Sequence, residues 1–302
     1  MVVFSIFYLF SVVFNIDEYA YADLSLVSAP KFSEQAFQSL HKGEILSRKD
    51  QQNVSVPNPE IPAHTETSRM IYLWLTEYRV ASAANVYFKA GVMEYLITND
   101  MVPSKFSLNT SKYPFNKTIP QIEKEYPNLD MVANFEVTSP PVLNMTTEGL
   151  KCSLVGLLNF YVTQENKEAA FVFSLSVSMS LSASVSVNTK KNAITGSFTL
   201  DSSSFKFAES AEKLGEISAN VKKLDKVMDT LFGTIIPKVN EKAAEGLPIP
   251  IFPGIELVKP EISFGKGYIL IATDINHTIS LEYSNVMKMY KDIKNYNRKD
   301  EL

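Results

Sequence analysis

Few residues in this chain have the types and spacing that catalysis or metal binding requires. The three histidines, His41, His64 and His277, are far apart in the chain. None lies at metal-ligand spacing from another histidine or from the single cysteine, Cys152. The sequence also lacks a Gly-x-Ser-x-Gly elbow, a phosphate-binding Gly-Lys-Ser/Thr loop and a Cys-x-x-Cys pair. We therefore predict no catalytic residues, no metal site and no cofactor.

The remaining polar patterns have ordinary structural interpretations. Glu123 and Glu125 fall on a short, solvated helix, and residues 265–267 (Gly-Lys-Gly) indicate a hairpin turn. Cys152 has no cysteine partner, so we interpret it as a small core residue. Candidate N-glycosylation sites occur at five Asn-x-Ser/Thr sequons: Asn53, Asn109, Asn116, Asn144 and Asn276. Roughly three such sequons would occur by chance, so a glycoprotein and plain polar turns both stay open.

Composition and chain ends indicate a folded protein of the secretory pathway. The 302 residues are 45% hydrophobic with a net charge of −4, which argues against a nucleic-acid binder. Residues 2–14 are almost entirely apolar, and Ala20-Tyr21-Ala22 offers a signal-peptide cleavage site. No Lys or Arg precedes Lys31, so a truncated N-terminal remnant is the alternative. The terminal Lys299-Asp300-Glu301-Leu302 predicts retention in the endoplasmic reticulum lumen; otherwise we expect an extracellular protein.

The most informative pattern is a strict alternation over residues 171–187. The odd positions are apolar, and every even position from Ser174 to Ser186 is serine. Period-two alternation predicts a strand with one apolar face, here about 55 Å long at roughly 3.3 Å per residue. Residues 194–207 predict the return strand, with a bulge near residues 201–204 where the alternation shifts.

A long amphipathic helix is predicted to follow these strands. Its apolar stripe recurs at spacings of three and four along Leu214, Ile217, Val221, Leu224, Met228, Leu231 and Ile235. Pro237 ends the stripe, and Gly246 with the proline-rich run 247–253 ends the helix. We expect this helix to cover the apolar face of the sheet.

The other elements complete an α+β prediction. Strands are expected at residues 69–78, 92–98, 255–264 and 268–283, and helices at residues 80–90 and 118–126. We divide the chain into a signal peptide or remnant (1–22), a linker and joining strand (23–68), a barrel (69–283) and a tail (284–302). Antiparallel strands with helices on one face are typical of the α+β class.

Several phrases, read in order, resemble the C-terminal half of the bactericidal/permeability-increasing and lipopolysaccharide-binding protein family. They include residues 23–30 (DLSLVSAP), 42–44 (KGE) and 70–73 (MIYL). The closest similarity is in residues 237–242 (PKVNEK), 246–250 (GLPIP) and 268–274 (YILIATD). The resemblance covers about residues 23–283, and order and spacing make it specific.

The resemblance implies one barrel of the tubular lipid-binding fold, a strongly twisted antiparallel sheet wrapped around a long helix. It further implies a non-enzymatic protein that holds phospholipid or another amphipathic lipid between sheet and helix. The residues that would line the acyl-chain pocket, or simply pack as core, are Phe171, Phe173, Leu175, Val177, Met179, Leu181, Leu214, Ile217, Val221, Leu224, Met228 and Leu231. Lipid transfer, innate recognition of bacterial lipid and transient contact with membranes are the implied roles.

The sequence departs from the family pattern at both ends. The first barrel, which carries the basic tip that meets lipopolysaccharide in the family, does not precede the matching residues. Its absence would leave an exposed sheet edge, so a dimer is expected. The alternative function is an interaction half-module that pairs with a full-length family member. Residues 284–302 extend past the family's usual end, as a tail or a short amphipathic helix.

Overall fold

A computed structural model describes residues 13–34, 36–49, 61, 66–214, 217, 221–249 and 255–277 of the chain. The elements, in chain order, are β1 (Val13–Asn15), β2 (Ala20–Asp23), β3 (Lys31–Phe32), β4 (Phe37–Gln38), β5 (Glu44–Ser47), β6 (Ile71–Thr76), α1 (Glu77–Lys89), β7 (Glu94–Ile97), α2 (Phe115–Thr118), α3 (Pro120–Glu125), β8 (Met131–Val137), β9 (Val142–Thr146), β10 (Gly149–Val162), β11 (Ala170–Asn188), β12 (Ala193–Ser210), α4 (Val221–Glu245), β13 (Leu247–Pro248), β14 (Ile255–Gly265) and β15 (Tyr268–His277). The α+β prediction is confirmed.

The largest sheet is antiparallel, with strand order β13-β12-β11-β10-β8-β7, and β9 pairs with β10 beyond the end of β8. Two further antiparallel sheets have the orders β14-β15-β6 and β1-β2-β5, and β3 pairs with β4 as a separate hairpin. Helix α4 packs along β12, and helix α1 packs against β2 and β5. The long strands of the large sheet are therefore the frame on which α4 rests.

Strand β11 confirms the alternation seen in the sequence. Leu175, Val177 and Met179 face the interior and are at most 4% exposed. The serines face the other side, where the hydroxyls of Ser182, Ser184 and Ser186 bond across to side chains of β12, as between Ser184 and Ser197 at 2.7 Å. Asn188 closes the turn by accepting hydrogen bonds from the amides of Lys190 and Lys191 at 3.1 Å. The predicted bulge in the return strand is also confirmed, because Ser180 pairs with Ser202 and Leu181 with Leu200.

A bulge at the start of β11 changes the position of Phe171. Phe160 pairs with Phe173, whereas Tyr161 pairs with Phe171, so Val172 is the extra residue. Val172 and Phe173 are both fully buried, while Phe171 is half-buried and packs edge-on against Tyr161 at 5.8 Å. The alternation that was predicted to begin at Phe171 therefore begins only at Phe173, because the bulge shifts the register.

Helix α4 differs from the predicted helix at its start and across its proline. Leu214 lies in a short 3₁₀ turn, Glu212–Leu214, and Ile217 is not helical, so the predicted continuous stripe is broken before Val221. Pro237 lies inside the helix instead of ending the stripe. Pro237 and Gly233, the residue four positions earlier whose carbonyl a proline cannot bond to, are both exposed. Gly246, at φ 83°, follows the last helical residue as predicted.

The N-terminal sheet packs as part of the same fold. Ala20 and Ala22, the predicted cleavage residues, lie in β2 with no exposed surface. They form a small core with Ile45, Ala83 and Val86 that joins β2 and β5 to α1. The segment predicted as signal peptide or remnant (1–22) thus contains β1 and most of β2, and the segment predicted as linker and joining strand (23–68) contains β3, β4 and β5.

Gly156 on β10 is the glycine at which an added side chain would come closest to a backbone atom. A Cβ there would lie 2.5 Å from the carbonyl oxygen of Glu136 and 2.9 Å from the ring of Phe135. We expect Gly156→Ala to lower the free energy of unfolding by about 1–3 kcal/mol, measured by denaturant unfolding. The control is Gly233→Ala on α4, where the new Cβ meets no atom within 4 Å and helix propensity favours alanine by about 1 kcal/mol. Equal changes in the free energy of unfolding for the two variants would contradict the close packing around Gly156.

Candidate functional site

The candidate site is the apolar interior between the large sheet and α4. Eight of the predicted lipid-contact residues belong to one buried cluster: Phe173, Leu175, Val177, Met179, Leu214, Leu224, Met228 and Leu231. Ile217 packs against this cluster from its edge, and Leu181 is buried farther along β11. The side chain of Val221 lies outside the described part of the chain. The structure thus brings most of the two predicted stripes together, with Phe171 set apart by the bulge.

An aromatic row lies in this interior, and sequence reasoning identified only its member Phe173 as a site residue. Phe115, Phe160 and Phe173 have successive ring-centroid distances of 5.7 and 4.3 Å. Phe106 and Phe207 extend the row at the two ends, at 6.1 and 5.5 Å from their neighbours. Alternation along β10, where every even position from Leu150 to Val162 except Leu154 is buried, was the signal that could have identified Phe160.

A groove opens beside this interior, between α4 and the segment that follows β7. Its volume is about 570 Å³, within the range of roughly 300–1,000 Å³ typical of small-molecule sites. It is lined by Tyr95, Met101, Val102, Pro103, Asp229, Thr230, Gly233, Thr234, Pro237 and Lys238. An adjoining pocket of about 340 Å³ shares Pro103, Asp229 and Thr230 with it. Sequence reasoning missed this groove, because its segment 101–106 has no periodic pattern.

The floor of the groove is continuous with the apolar core. Val102 lines the larger cavity and Val227 the smaller one, and both are buried members of the core cluster. Gly233 leaves space at the groove wall, because a Cβ there would meet no atom within 4 Å. The groove is therefore a shallow surface depression that borders the side chains packed between sheet and helix.

The polar groups around the groove are few and carry both signs of charge. Lys238 pairs with Glu241 at 2.8 Å, and this hydrogen bond raises the pKa of the Lys238 ammonium. Asp229 is exposed on the groove wall, and Lys105 lines the adjoining pocket. These groups could contact a polar headgroup, while Val102 and Pro103 offer apolar surface beneath it.

Asn240 fixes the C-terminal half of α4 to the sheet. Its side-chain oxygen accepts a hydrogen bond from the backbone N–H of Phe198 at 2.7 Å, and its side-chain nitrogen donates to the Phe198 carbonyl at 3.0 Å. The amide side chain thus pairs with β12 as a neighbouring strand would.

The sequons differ in accessibility. Asn144 and Asn276 are exposed, and Asn53 lies outside the described residues. Asn109 is only 4% exposed, and its side-chain nitrogen donates to Asp130 at 2.8 Å. Asn116 is half-buried and donates to the Ser111 carbonyl at 3.0 Å. A glycan on Asn109 would replace a buried hydrogen bond, so the exposed Asn144 and Asn276 are the proposed sites.

Other potential reaction centres lack the necessary surroundings. Cys152 is buried, and burial raises the pKa of its thiol to about 11, so it is neutral at ordinary pH. Across the described ranges, no three or more His, Cys, Asp or Glu side chains group as a metal site would need. The same ranges contain no helix with the length and apolar character required to cross a membrane.

The family assignment comes from comparison with known sequences. The model of the LBP / BPI / CETP family, C-terminal domain, matches residues 14–277. The chain belongs to this family. The predicted resemblance is thereby confirmed, and the members of this family are non-enzymatic lipid-binding proteins.

Individual sequence relatives agree with this assignment. Bovine lipopolysaccharide-binding protein is 32% identical over 264 residues, covering 87% of this chain and 54% of the relative. Its human counterpart is 27% identical with the same coverage, and bactericidal permeability-increasing protein of Sebastes schlegelii is 27% identical over 89% of this chain and 56% of its own length. A crystal structure of lipopolysaccharide binding protein is 25% identical, with a TM-score of 0.47 over 88% of this chain and 57% of that chain. The chain spans about half the length of these relatives.

Proposed function

We propose that this protein binds a phospholipid or a related amphipathic lipid and passes it on without changing it chemically. The observation that supports the proposal is the groove beside α4, whose lining includes the core residue Val102, while that of the adjoining pocket includes the core residue Val227. Acyl chains entering there would reach the predicted contact residues on α4, of which Met228 and Leu231 are the nearest in sequence to the groove wall. Lys105, Asp229 and Lys238 would meet the headgroup.

The energetics suit a carrier. A phospholipid with about thirty chain methylenes gains on the order of 24 kcal/mol on leaving water, at about 0.8 kcal/mol for each methylene. Acyl chains gain almost the same transfer free energy in a bilayer. The lipid would therefore exchange between protein and membrane with little net free-energy change. Transient contact with membranes follows from this balance, and no catalysis is required.

The names of the relatives suggest the biological setting. Lipopolysaccharide-binding protein and bactericidal permeability-increasing protein are named for bacterial lipid and for action on bacteria. We accordingly propose a role in innate recognition of bacterial lipid, outside the cell or in the endoplasmic reticulum lumen. Endotoxin neutralisation is not part of the proposal, because the chain matches only about half of each relative.

The experiment is mass spectrometry of lipids extracted from the purified protein. We expect phospholipid at close to one molecule per chain, retained through size-exclusion chromatography and released by denaturation. An unrelated secreted protein purified in parallel serves as the control for carry-over. A protein that is stable, monodisperse and free of lipid would overturn the proposal.

A second candidate function is pairing with a full-length family member. In the sheet β14-β15-β6, strand β14 lies at one edge and pairs only with β15 among the described strands. Edge strands present unpaired N–H and C=O groups that can add another strand. Sizing at micromolar concentration, alone and mixed with a full-length relative, tests this function, and a monomer in both cases would contradict it.

A further inference from the structure

A two-stranded arm extends from the N-terminal sheet and ends in exposed aromatic rings. Beyond β2 and β5 the chain stays paired, with Lys42 N–H bonded to the Ser25 carbonyl and Val27 N–H bonded to the Leu40 carbonyl. β3 and β4 then pair only with each other among the described strands. From Leu26 to Lys42, every described residue except Pro30 and Ser39 is exposed. The arm therefore projects into solvent over up to roughly 25 Å, at about 3.3 Å per residue.

Two phenylalanines form the tip of this arm. Phe32 and Phe37 lie directly opposite one another, with ring centroids 5.0 Å apart and side chains 79% and 61% exposed. Ser33 holds the connecting turn, because its amide donates to the Ala36 carbonyl at 2.9 Å and its hydroxyl accepts from the Ala36 amide at 3.0 Å. The rings are thus held together by a formed turn and kept away from the core.

The rest of the arm is also apolar and nearly neutral. Leu26, Val27 and Leu40 are 37%, 54% and 41% exposed at its neck. Near the tip, Lys31 and Glu34 carry opposite charges. The fold therefore keeps five large apolar side chains in water on one narrow projection, without a charge that selects an acidic or basic partner.

We infer that the tip of this arm inserts into the interfacial region of a lipid bilayer. Two phenylalanine side chains offer roughly 300–500 Å² of contact, at about 150–250 Å² each. A stable protein interface needs about 800 Å² on each partner, so the tip alone is too small for a second copy of the chain. A bilayer requires no minimum contact area, because each ring contributes its own favourable transfer free energy when it leaves water.

The backbone of the arm limits the depth of this insertion. The outer N–H and C=O groups of β3 and β4 have no partner among the described strands, and in a membrane they must remain hydrated. The headgroup region supplies water and polar groups, whereas the hydrocarbon core supplies neither. Lys31 and Glu34 match a zwitterionic surface of both charges. The contact is therefore shallow and reversible, and it goes beyond the proposed lipid-binding function by assigning a separate surface for membrane contact.

The test compares vesicle binding by two double variants of the full chain. F32S/F37S removes the tip rings, and M70S/V142S removes two side chains that are 65% and 68% exposed elsewhere. Flotation with phosphatidylcholine vesicles is expected to show at least about a tenfold loss of partitioning for F32S/F37S and less than a twofold change for M70S/V142S. Circular dichroism and analytical sizing establish that both variants are folded.

The other outcomes separate this inference from the proposed function. Unchanged vesicle binding by F32S/F37S, or equal losses in both variants, would overturn the inference. Self-association of the parent chain that F32S/F37S abolishes, without vesicle binding, would also overturn it and assign the arm to a second copy. If the purified protein contains no lipid but its vesicle binding depends on Phe32 and Phe37, the inference stands and the proposed function fails.

Discussion

Replacing Phe160 by alanine is expected to lower the free energy of unfolding by about 3–5 kcal/mol. Phe160 has no exposed surface, stacks on Phe173 at 4.3 Å and meets Phe115 edge-on at 5.7 Å. Removing its ring leaves a cavity between two rings that the neighbouring strands hold in place. Denaturant unfolding followed by circular dichroism measures the loss.

Phe32→Ala provides a matched control for this substitution. The same ring is lost, but Phe32 is 79% exposed, so we expect a change within about 0.5 kcal/mol. Similar losses for Phe160→Ala and Phe32→Ala would show that the aromatic row is not the centre of the core. The pair therefore separates buried packing from the loss of an aromatic residue as such.

Replacing Gly233 by phenylalanine is expected to reduce bound phospholipid by at least about tenfold. A side chain at this position projects into the open groove, because no atom lies within 4 Å of its Cβ. The ring would occupy volume that an acyl chain needs, while helix propensity slightly favours phenylalanine over glycine. Lipid content is measured by quantitative mass spectrometry after incubation of delipidated protein with phosphatidylcholine vesicles.

The control for the groove is Val239→Phe on the same helix. Val239 is 38% exposed and does not line the groove, so this variant keeps its lipid. Unfolding midpoints close to that of the parent chain would show that both variants fold. A full lipid load in Gly233→Phe would exclude this groove as the entrance, while leaving lipid binding elsewhere in the interior open.

The sequence alone predicted the elements with strong, regular periodicity. The serine alternation predicted β11 to within one residue at each end. A strand with one solvent-facing and one buried face alternates polar and apolar residues with a period of two. The loss of alternation predicted the bulge at Asp201, and the apolar stripe predicted most of α4. Local chemistry thus determined the one-sided sheet, its helical cover and the α+β class.

These patterns could not predict local features that depend on contacts with other segments of the chain. The bulge at Val172 moved Phe171 off the interior face, because the pairing with β10 determined the register there. Helix α4 continues through Pro237, where Pro237 and Gly233 are both exposed, and periodicity does not report this exposure. Asn109 reads as a sequon, yet its burial and its bond to Asp130 depend on a segment 21 residues away.

For the candidate sites, too, some features follow from the sequence and others only from the tertiary structure. Sequence determined which side chains are apolar on one face, and so most of the residues that meet between sheet and helix. Only the tertiary structure decided where a groove borders that interior, because the groove arises where the irregular segment 101–106 approaches α4. The exposure of Phe32 and Phe37 is tertiary too: an apolar pair becomes a tip only when no other element covers it.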